Sequence, residues 1–198
     1  MVANPTTLGR PRDPAVDAAI LDVTRRLLAD VGYGALTMES VAAAAGVGKQ
    51  TVYRRWNRKP LLVFDAAFGG AGSIELPDTG SLVGDLEAVV AAQQEVYGTP
   101  GVQEMIAGLV ADCLAEPRLM DALRQRFIEP RLGVLETVVA RAAARGEVPD
   151  ATPAGLVARL VAGHALYHFL IAGGGPDPEL PARVAQLISR GVMIPEPS

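Results

Sequence analysis

The stretch of sequence that decides the fold is residues 37–62, TMESVAAAAGVGKQTVYRRWNRKPLL. Thr37 is the predicted N-cap of a short helix, and Gly46 ends that helix because glycine tolerates the positive φ of a tight turn. The pattern then predicts a further helix over about residues 48–56 and another that begins near Lys59. Two short helices joined by a glycine-containing turn are typical of a helix-turn-helix.

Small and branched apolar residues supply the packing of this motif. Two short helices that cross at a steep angle need small side chains at the crossing, and Ala42 and Ala43 provide them. Val41, Val47 and Val52 are predicted to point inward and to fasten the two helices to the helix before them. The opposite face of the helix over residues 48–56 is therefore free to meet a partner.

That exposed face carries side chains that can recognise DNA bases. Lys49 and Gln50 lie at its N-terminal end, where the recognition helix of a helix-turn-helix meets base edges in the major groove. A lysine can donate to O6 and N7 of guanine, and a glutamine can pair with N6 and N7 of adenine. The segment therefore predicts sequence-specific binding to double-stranded DNA.

Side chains suited to the phosphate backbone follow along the same segment. Thr51 and Tyr53 carry hydroxyl groups that can donate to phosphate oxygens. Four basic side chains lie close by: Arg54, Arg55, Arg58 and Lys59. Lys59 combines its charge with a helix N-terminus, which also attracts phosphate.

Charge is divided unevenly between two parts of the 198-residue chain. Residues 1–68, here called the head, carry nine Lys and Arg against six Asp and Glu, whereas residues 69–198, the body, carry nine against sixteen. A basic module attached to an acidic body reconciles the net charge of −4 with a nucleic-acid partner. The small positive excess on the head is also compatible with an ordinary solvated face.

Helical periodicity dominates the remainder of the chain. The first helix is predicted to start at Asp13 and Pro14 and to end at Gly32, and residues 69–80, rich in Gly, Pro and Asp, form a loop where head and body meet. Five longer helices are predicted after the loop, over about residues 81–97, 101–115, 117–145, 153–172 and 178–191. Pro130 is expected to kink the third of these.

The predicted fold class is therefore all-α, with about nine helices in total. A flexible N-terminal arm, residues 1–12, precedes a three-helix helix-turn-helix domain, residues 13–59. Residues 60–198 form a larger helical domain, expected to bind an effector and to dimerise. Arg10 and Arg12 on the arm could reach an adjacent minor groove, although a disordered tail is the alternative.

The motif TVYRRW, followed by Lys59 and an apolar pair, resembles the DNA-binding domain of the tetracycline-repressor (TetR) family. The resemblance covers about residues 15–66. By position it implies base contacts from Lys49, Gln50 and Tyr53. It implies phosphate contacts from Thr37, Thr51, Tyr53, Arg54 and Lys59, with Thr37 capping the helix that abuts the backbone. Trp56 is expected in the core, and Gly48 departs from the polar residue that the family often has there.

A weaker resemblance continues into the body. Arg145-Gly146-Glu147 is similar to the junction before the last two helices of these regulators, which pair with a second subunit. The apolar residues expected at such a homodimer interface are Leu156, Leu160, Tyr167, Leu180, Val184, Leu187 and Ile188. A dimer would place two recognition helices about 34–36 Å apart and would read a pseudo-palindromic operator.

The resemblance also implies a small-molecule effector bound inside the body. Its expected action is to change the spacing of the two DNA-reading heads, which would release a repressor from its operator. The candidate lining residues are Met105, Leu109, Cys113, Leu123, Phe127, His164 and His168. Flexible methionine and a few polar tips among aliphatic side chains suit an apolar ligand, although each of these residues is also an ordinary core residue.

Other functions are less well supported by the sequence. His164 and His168 have the i, i+4 spacing of metal ligands but lack further ligands, and no metal or other cofactor is expected. No nucleophile elbow or phosphate-binding loop is present, so an enzyme is not expected, and Cys113 is interpreted as a buried apolar residue. The alternative function is a helical small-molecule carrier or adaptor that keeps a vestigial DNA-binding head.

The sequence predicts a cytoplasmic protein without a membrane partner. Residues 1–14 lack the apolar core of a signal peptide. No stretch approaches the roughly 20 apolar residues that span a bilayer, and the nearest, residues 160–172, contains two histidines. A single cysteine excludes an internal disulfide and fits a reducing compartment.

Overall fold

The computed structural model describes residues 13–69 and 77–192, and every regular element in those ranges is helical. The head contributes α1 Pro14–Ala35, α2 Met38–Ala44, α3 Lys49–Tyr53 and α4 Lys59–Phe68. The body contributes α5 Leu82–Tyr97, α6 Val102–Ala115, α7 with its consecutive segments Pro117–Leu123, Arg124–Ile128 and Glu129–Ala144, α8 with Ala154–Leu166 and Tyr167–Ile171, and α9 Leu180–Val192. The predicted all-α fold is confirmed over these residues, while the predicted arm with Arg10 and Arg12 lies outside them.

Helix α1 begins where the sequence predicts, but it continues past the predicted end at Gly32 to Ala35. The Asp13 carboxylate accepts a hydrogen bond from the Ala15 backbone N–H at 3.0 Å, and Pro14 occupies the first turn. Gly32 interrupts the helix with φ 73° and ψ 172°, after which the chain makes one more turn through Ala35. This break turns the Tyr33 side chain inward, where it is 7% exposed.

Helix α7 continues through the proline that was expected to kink it. Its middle segment, Arg124–Ile128, is π-helical, and the Glu129 backbone N–H bonds to the Arg124 carbonyl five residues back. Pro130 has no N–H and crowds the preceding turn, so a widened turn directly before it lets the helix proceed.

Two hydrophobic cores hold these helices together. The first joins head and body: Ile20, Leu36, Val52, Trp56 and Leu62 of the head pack with Leu109, Cys113, Leu123 and Phe127 of α6 and α7. The second lies within the body and includes Leu86, Val90, Val138, Val148, Val161 and Ala185. Because close-packed interiors transmit displacement, a shift of α6 or α7 would also displace residues of the head.

The Arg145-Gly146-Glu147 junction fixes the start of α5 in space. Gly146 adopts φ 77°, and the Glu147 carboxylate accepts a hydrogen bond from the Leu82 backbone N–H at 2.6 Å. Arg145 pairs with Glu147 and lies 3.5 Å from the fully buried carboxylate of Asp85. The junction therefore joins the end of α7 to the start of α5.

Candidate nucleic-acid interface

The turn between α2 and α3 is built from local hydrogen bonds. The Ser40 backbone N–H donates to Thr37 Oγ1 at 3.0 Å, and the Thr37 backbone N–H donates to Ser40 Oγ at 3.1 Å, which makes a reciprocal cap at the start of α2. Gly46 supplies φ 65° at the turn, and the Val47 backbone N–H returns to the Ala42 carbonyl at 3.0 Å.

The packing of the two helices follows the sequence prediction except at one alanine. Val41, Ala42 and Val52 are buried, and Val47 packs against the same core from a half-buried position. Ala43 is exposed, so its predicted place at the helix crossing is wrong. One residue further along a helix lies about 100° around its axis, which carries Ala43 away from the contact made by Ala42.

Helix α3 is shorter than the sequence suggests, because it ends at Tyr53 instead of Trp56. The following turn keeps its hydrogen bonds, with Trp56 N–H donating to the Val52 carbonyl at 2.9 Å. Trp56 is 3% exposed, and its Nε1 donates to Asp65 Oδ2 of α4 at 2.7 Å. The indole therefore anchors α3 to α4, as expected for a core residue.

The three residues predicted to read bases lie on the exposed side of α3. Lys49, Gln50 and Tyr53 are all exposed, whereas Val52 between them is fully buried. The side chains present an ammonium, an amide and a phenol hydroxyl. All three can donate to base edges or phosphates, and the amide and the hydroxyl can also accept from base edges, without disturbing the core.

A carboxylate that the sequence analysis missed contacts two of these donors. Glu39, the second residue of α2, accepts a hydrogen bond from Tyr53 Oη at 3.1 Å, and the same oxygen lies 3.8 Å from Lys49 Nζ. Desolvation, and then the bond to Glu39, raises the pKa of Tyr53 above its usual value. Glu39 stands fourteen residues before Tyr53, so only the folded turn brings them together.

The remaining predicted phosphate contacts differ in how freely they can reach a partner. Arg54 is exposed and Thr51 is half-buried on α3. Thr37 already uses its hydroxyl oxygen to cap α2. Accepting that bond leaves the hydroxyl proton free, so Thr37 can still donate to a phosphate while it holds the N-terminus of α2 in place.

Two arginines that the sequence counts as local positive charge are paired inside the protein. The Arg55 guanidinium is 7% exposed, pairs with Asp17 of α1 and donates to the Thr51 carbonyl at 3.2 Å. Arg58 forms two hydrogen bonds of 3.2 Å to Glu116 at the end of α6, which raises the pKa of its guanidinium. Their charges serve the packing of the head and its attachment to the body.

Lys59 is also engaged within the head. Its Nζ donates to the Tyr33 carbonyl at 3.1 Å and stands 4.0 Å from the centroid of the Tyr33 ring. An ammonium group has three donors, so this bond leaves others for a phosphate. Lys59, the predicted phosphate contact, is thus held by Tyr33, which also contacts α6 of the body.

Tyr33 crosses the boundary between head and body. Its hydroxyl donates to Asp112 Oδ2 of α6 at 2.6 Å, and burial, followed by this bond, raises the pKa of the phenol. The ring lies so close to Gly108 that a Cβ there would stand 2.6 Å from Tyr33 Cδ1. The glycine is thus what allows α6 to approach the head.

The residues predicted for a dimer interface form an open apolar face on α8 and α9. Leu156, Leu160, Tyr167 and Leu187 are 48%, 53%, 64% and 76% exposed. Leu180, Val184 and Ile188 are half-buried. Two further exposed residues, Leu166 and Ile171, extend the stripe along α8. The face includes a groove of about 770 Å³ whose lining contains Leu156, Leu160, His164, Leu187 and Ile188.

The residues predicted to line a ligand pocket are not brought together. Met105, Leu109, Cys113, Leu123 and Phe127 are packed in the core that joins head and body, and burial raises the pKa of the Cys113 thiol. His164 instead borders the groove between α8 and α9. A sequence does not distinguish apolar side chains that fill a core from those that line a pocket. The prediction therefore placed His164 and the core residues in one pocket.

The two histidines lie side by side but differ in their contacts. Their ring centroids are 5.7 Å apart, and the His168 Nε2 makes a hydrogen-bond contact of 2.9 Å with the Gly175 carbonyl. The His164 Nε2 is buried without a partner among the described residues, and burial, with a contribution from His168, lowers the pKa of His164. A search of the described ranges finds no group of three metal-ligating side chains.

Helix α8 is also apolar along its length. Within the described residues, the stretch Ala154–Ile171 is long and apolar enough to cross a bilayer, with a mean hydropathy of 1.4 over 18 residues. The expectation that no stretch approaches a membrane span is therefore wrong for this helix. One side of it, including Val157, Val161 and Phe169, is buried within the protein.

Comparison with known proteins identifies both parts of the chain. Residues 20–65 match the family model described as bacterial regulatory proteins, tetR family, and residues 76–188 match the model of the tetracyclin repressor-like C-terminal domain. The chain is 31% identical over 172 residues to an uncharacterized HTH-type transcriptional regulator of Mycobacterium tuberculosis, covering 84% of each protein. It is 32% identical over 185 residues to the HTH-type transcriptional regulator AqdR of Rhodococcus erythropolis, covering 92% of this chain and 85% of AqdR.

Solved structures share the same fold. The TetR family transcription regulator SCO0332 superposes with a TM-score of 0.78 at 25% identity, covering 89% of this chain and 98% of that one. FadR of Bacillus subtilis, crystallised in complex with stearoyl-CoA, matches in fold alone, with a TM-score of 0.59 at 15% identity over 88% of this chain and 98% of FadR. With matching N- and C-terminal domains, the chain belongs to the TetR family of helix-turn-helix transcriptional regulators.

Proposed function

We propose that two copies of this chain form a symmetric repressor that binds a pseudo-palindromic DNA site and leaves it when a small apolar molecule binds the body. In this proposal Lys49, Gln50 and Tyr53 read bases. The residues proposed to hold phosphates are Thr37, Thr51, Tyr53, Arg54 and Lys59. The observation that carries it is the exposed row of donors on α3, next to a fully buried Val52. The role is regulatory, without catalysis, and suits a protein of the cytoplasm.

The dimer is proposed from the apolar face of α8 and α9. Large apolar side chains that remain exposed along a helix indicate a surface that a partner covers. A second copy is the partner that fits, because a two-fold axis places the same stripe opposite itself. A membrane is the weaker alternative for α8, because its other side, including Val157 and Val161, belongs to the core of the body.

The response to an effector is proposed to pass through α6. Met105, Leu109 and Cys113 of this helix lie in one core with the head, and Asp112 holds Tyr33. Because this core is close-packed, the effector would bind a form in which α6 and α7 have moved apart, and it would favour that form over the DNA-binding one. That form would open a pocket beside Leu123 and Phe127.

Selection from a pool of random duplex DNA at low salt tests the proposal. We expect an enriched site with two half-sites about 10 base pairs, or a multiple of this, between their centres. Sedimentation equilibrium should find the chain dimeric, with two chains on each selected duplex. Binding without any enriched motif, or binding that does not weaken with salt, would favour the alternative of a helical carrier with a vestigial head.

A further inference from the structure

Glu39 lies in the first turn of α2, where the helix dipole favours a negative charge but an approaching DNA phosphate does not. The residue lies beside the face of α3 that carries Lys49 and Tyr53, and its side chain is 45% exposed. A DNA phosphate that approached this face would meet the carboxylate as well as the two donors. An exposed ion pair and an acidic side chain in the first turn of a helix each add at most about 1 kcal/mol to stability, so folding gains little from this charge.

Its two contacts respond differently when DNA arrives. A tyrosine hydroxyl has one proton, so Tyr53 must leave Glu39 before it can donate to a phosphate oxygen. An ammonium group has three donors, so Lys49 can donate to a guanine edge while it stays beside the carboxylate. A phosphate also brings a negative charge, which the carboxylate repels, whereas a base edge is neutral. The carboxylate therefore opposes phosphate contacts more than it opposes base contacts.

We propose that Glu39 is a specificity-determining residue, which competes with DNA phosphates for Tyr53 and Lys49 and so suppresses binding to DNA that lacks the operator sequence. Non-specific affinity comes almost entirely from phosphate contacts, whereas operator affinity also includes base contacts. On the operator, Lys49 and Tyr53 turn to base edges, whereas on other DNA they meet only phosphates. The carboxylate therefore weakens non-operator binding by the larger factor. The inference rests on the proposed function, because it assumes that α3 faces DNA.

The test compares Glu39→Gln with the wild-type chain on two duplexes, the site selected by the wild type and a scrambled version of it. Asp30→Asn is the matched control, because Asp30 is exposed on α1 and loses the same charge. If Glu39→Gln frees the Lys49 ammonium to neutralise one more phosphate, non-operator DNA should bind about fivefold more tightly at 0.15 M salt, and the salt slope should steepen by roughly 0.9. The operator should gain less, so the ratio of the two affinities falls.

Each outcome decides one of the two ideas. If the wild type selects no site, the proposed function fails and the role of Glu39 fails with it. If the wild type selects a site but Glu39→Gln does not tighten non-operator binding beyond what Asp30→Asn does, only the role of Glu39 is overturned. Melting curves of both variants check that the head is folded. The double variant Glu39→Gln, Tyr53→Phe should bind non-operator DNA less tightly than Glu39→Gln alone, because it lacks the hydroxyl that donates to phosphate.

Discussion

The hydroxyl of Tyr33 donates a 2.6 Å hydrogen bond to Asp112, and this bond links the last turn of α1 to α6 of the body. Lys59 Nζ lies over the Tyr33 ring, and the ring also packs against Gly108 of α6. Tyr33 is therefore in contact both with a residue proposed to bind phosphate and with the helix proposed to respond to an effector. This arrangement gives the head and the body a shared side chain, which single substitutions can test.

Gly108→Ala should destabilise the chain by about 1–3 kcal/mol, because the added methyl group overlaps a packed aromatic ring. A Cβ at this position would lie 2.6 Å from Tyr33 Cδ1, so α1 or α6 must move. Urea unfolding measures the effect. Gly133→Ala is the control: Gly133 lies within α7 with no atom within 4 Å of a new Cβ, and alanine there should be neutral or stabilising by up to about 1 kcal/mol. Equal effects at the two sites would contradict the close contact with Tyr33.

Tyr33→Phe should cost about 0.5–1.5 kcal/mol, the usual net value of one hydrogen bond. It should also change the dependence of stability on pH. The pKa of Tyr33 is raised in the folded chain, so above about pH 10 the unfolded chain loses this proton first. The free energy of unfolding then falls as the pH rises.

Stability measured from pH 8 to 11 should therefore fall less steeply for Tyr33→Phe than for the wild type. Part of the loss should remain in the variant, because burial also raises the pKa of Tyr97. Parallel curves for the two proteins would show that the Tyr33 hydroxyl is not held as described.

Local signals in the sequence account for most of the fold and for the outline of the site. The Thr37 cap, the Gly46 turn and the apolar spacing act within a few residues, so they can be recognised without knowing the tertiary structure. The pairings of Arg55 with Asp17 and of Arg58 with Glu116 join residues 38 and 58 positions apart. No periodicity indicates such contacts, so the sequence cannot show that Arg55 is buried and that Arg58, although exposed, is already paired with a carboxylate of the body.

Leu160→Lys should shift the protein from dimer to monomer and weaken operator binding. Leu160 is 53% exposed in the single chain, and loss of a buried leucine costs about 1.5–3 kcal/mol for each copy, before the cost of the new charge. Sedimentation equilibrium measures the association. Leu114→Lys is the control, because Leu114 is 69% exposed on α6 and lies off the α8 and α9 face. If Leu114→Lys dissociated the dimer and Leu160→Lys did not, the proposed interface would be misplaced.

The dimer should weaken as the pH falls below about 6.5, the ordinary pKa of histidine. Among the described residues that border the groove of α8 and α9, His164 is the ionisable one. Burial and nearby His168 already lower the pKa of His164 in the single chain. A second copy covering the groove would bury the imidazole further, so the dissociated and unfolded states take up a proton before the dimer does. Stability then declines with falling pH, since the less structured states bind more protons.

Dimer dissociation constants measured at pH 7.5 and 5.5 test this expectation. His164→Gln keeps a polar side chain but removes the titration, and it should make the two constants nearly equal. An unchanged pH dependence in this variant would assign the effect to other groups, with His168 the first to examine.

Gln50→Ala and Lys59→Ala should affect DNA binding in different ways. Gln50 is exposed on α3 with no partner among the described residues, so its amide is free for a base edge. Its loss should cost about 1–3 kcal/mol on the selected site and relax the preference at one or two base pairs. Repeating the selection with the variant measures that preference directly, and an unchanged motif would remove Gln50 from the set of base-reading residues.

Lys59→Ala should instead weaken binding to all sequences and reduce the salt slope by about 1. Because Lys59 Nζ also bonds to the Tyr33 carbonyl, the variant should lose some stability in the absence of DNA as well. Tyr33→Phe keeps that carbonyl and therefore should keep the salt slope of the wild type. If Lys59→Ala lowered stability but left the salt slope unchanged, the lysine would serve only to hold the head to Tyr33, and the phosphate contact would have to come from Thr51 or Arg54.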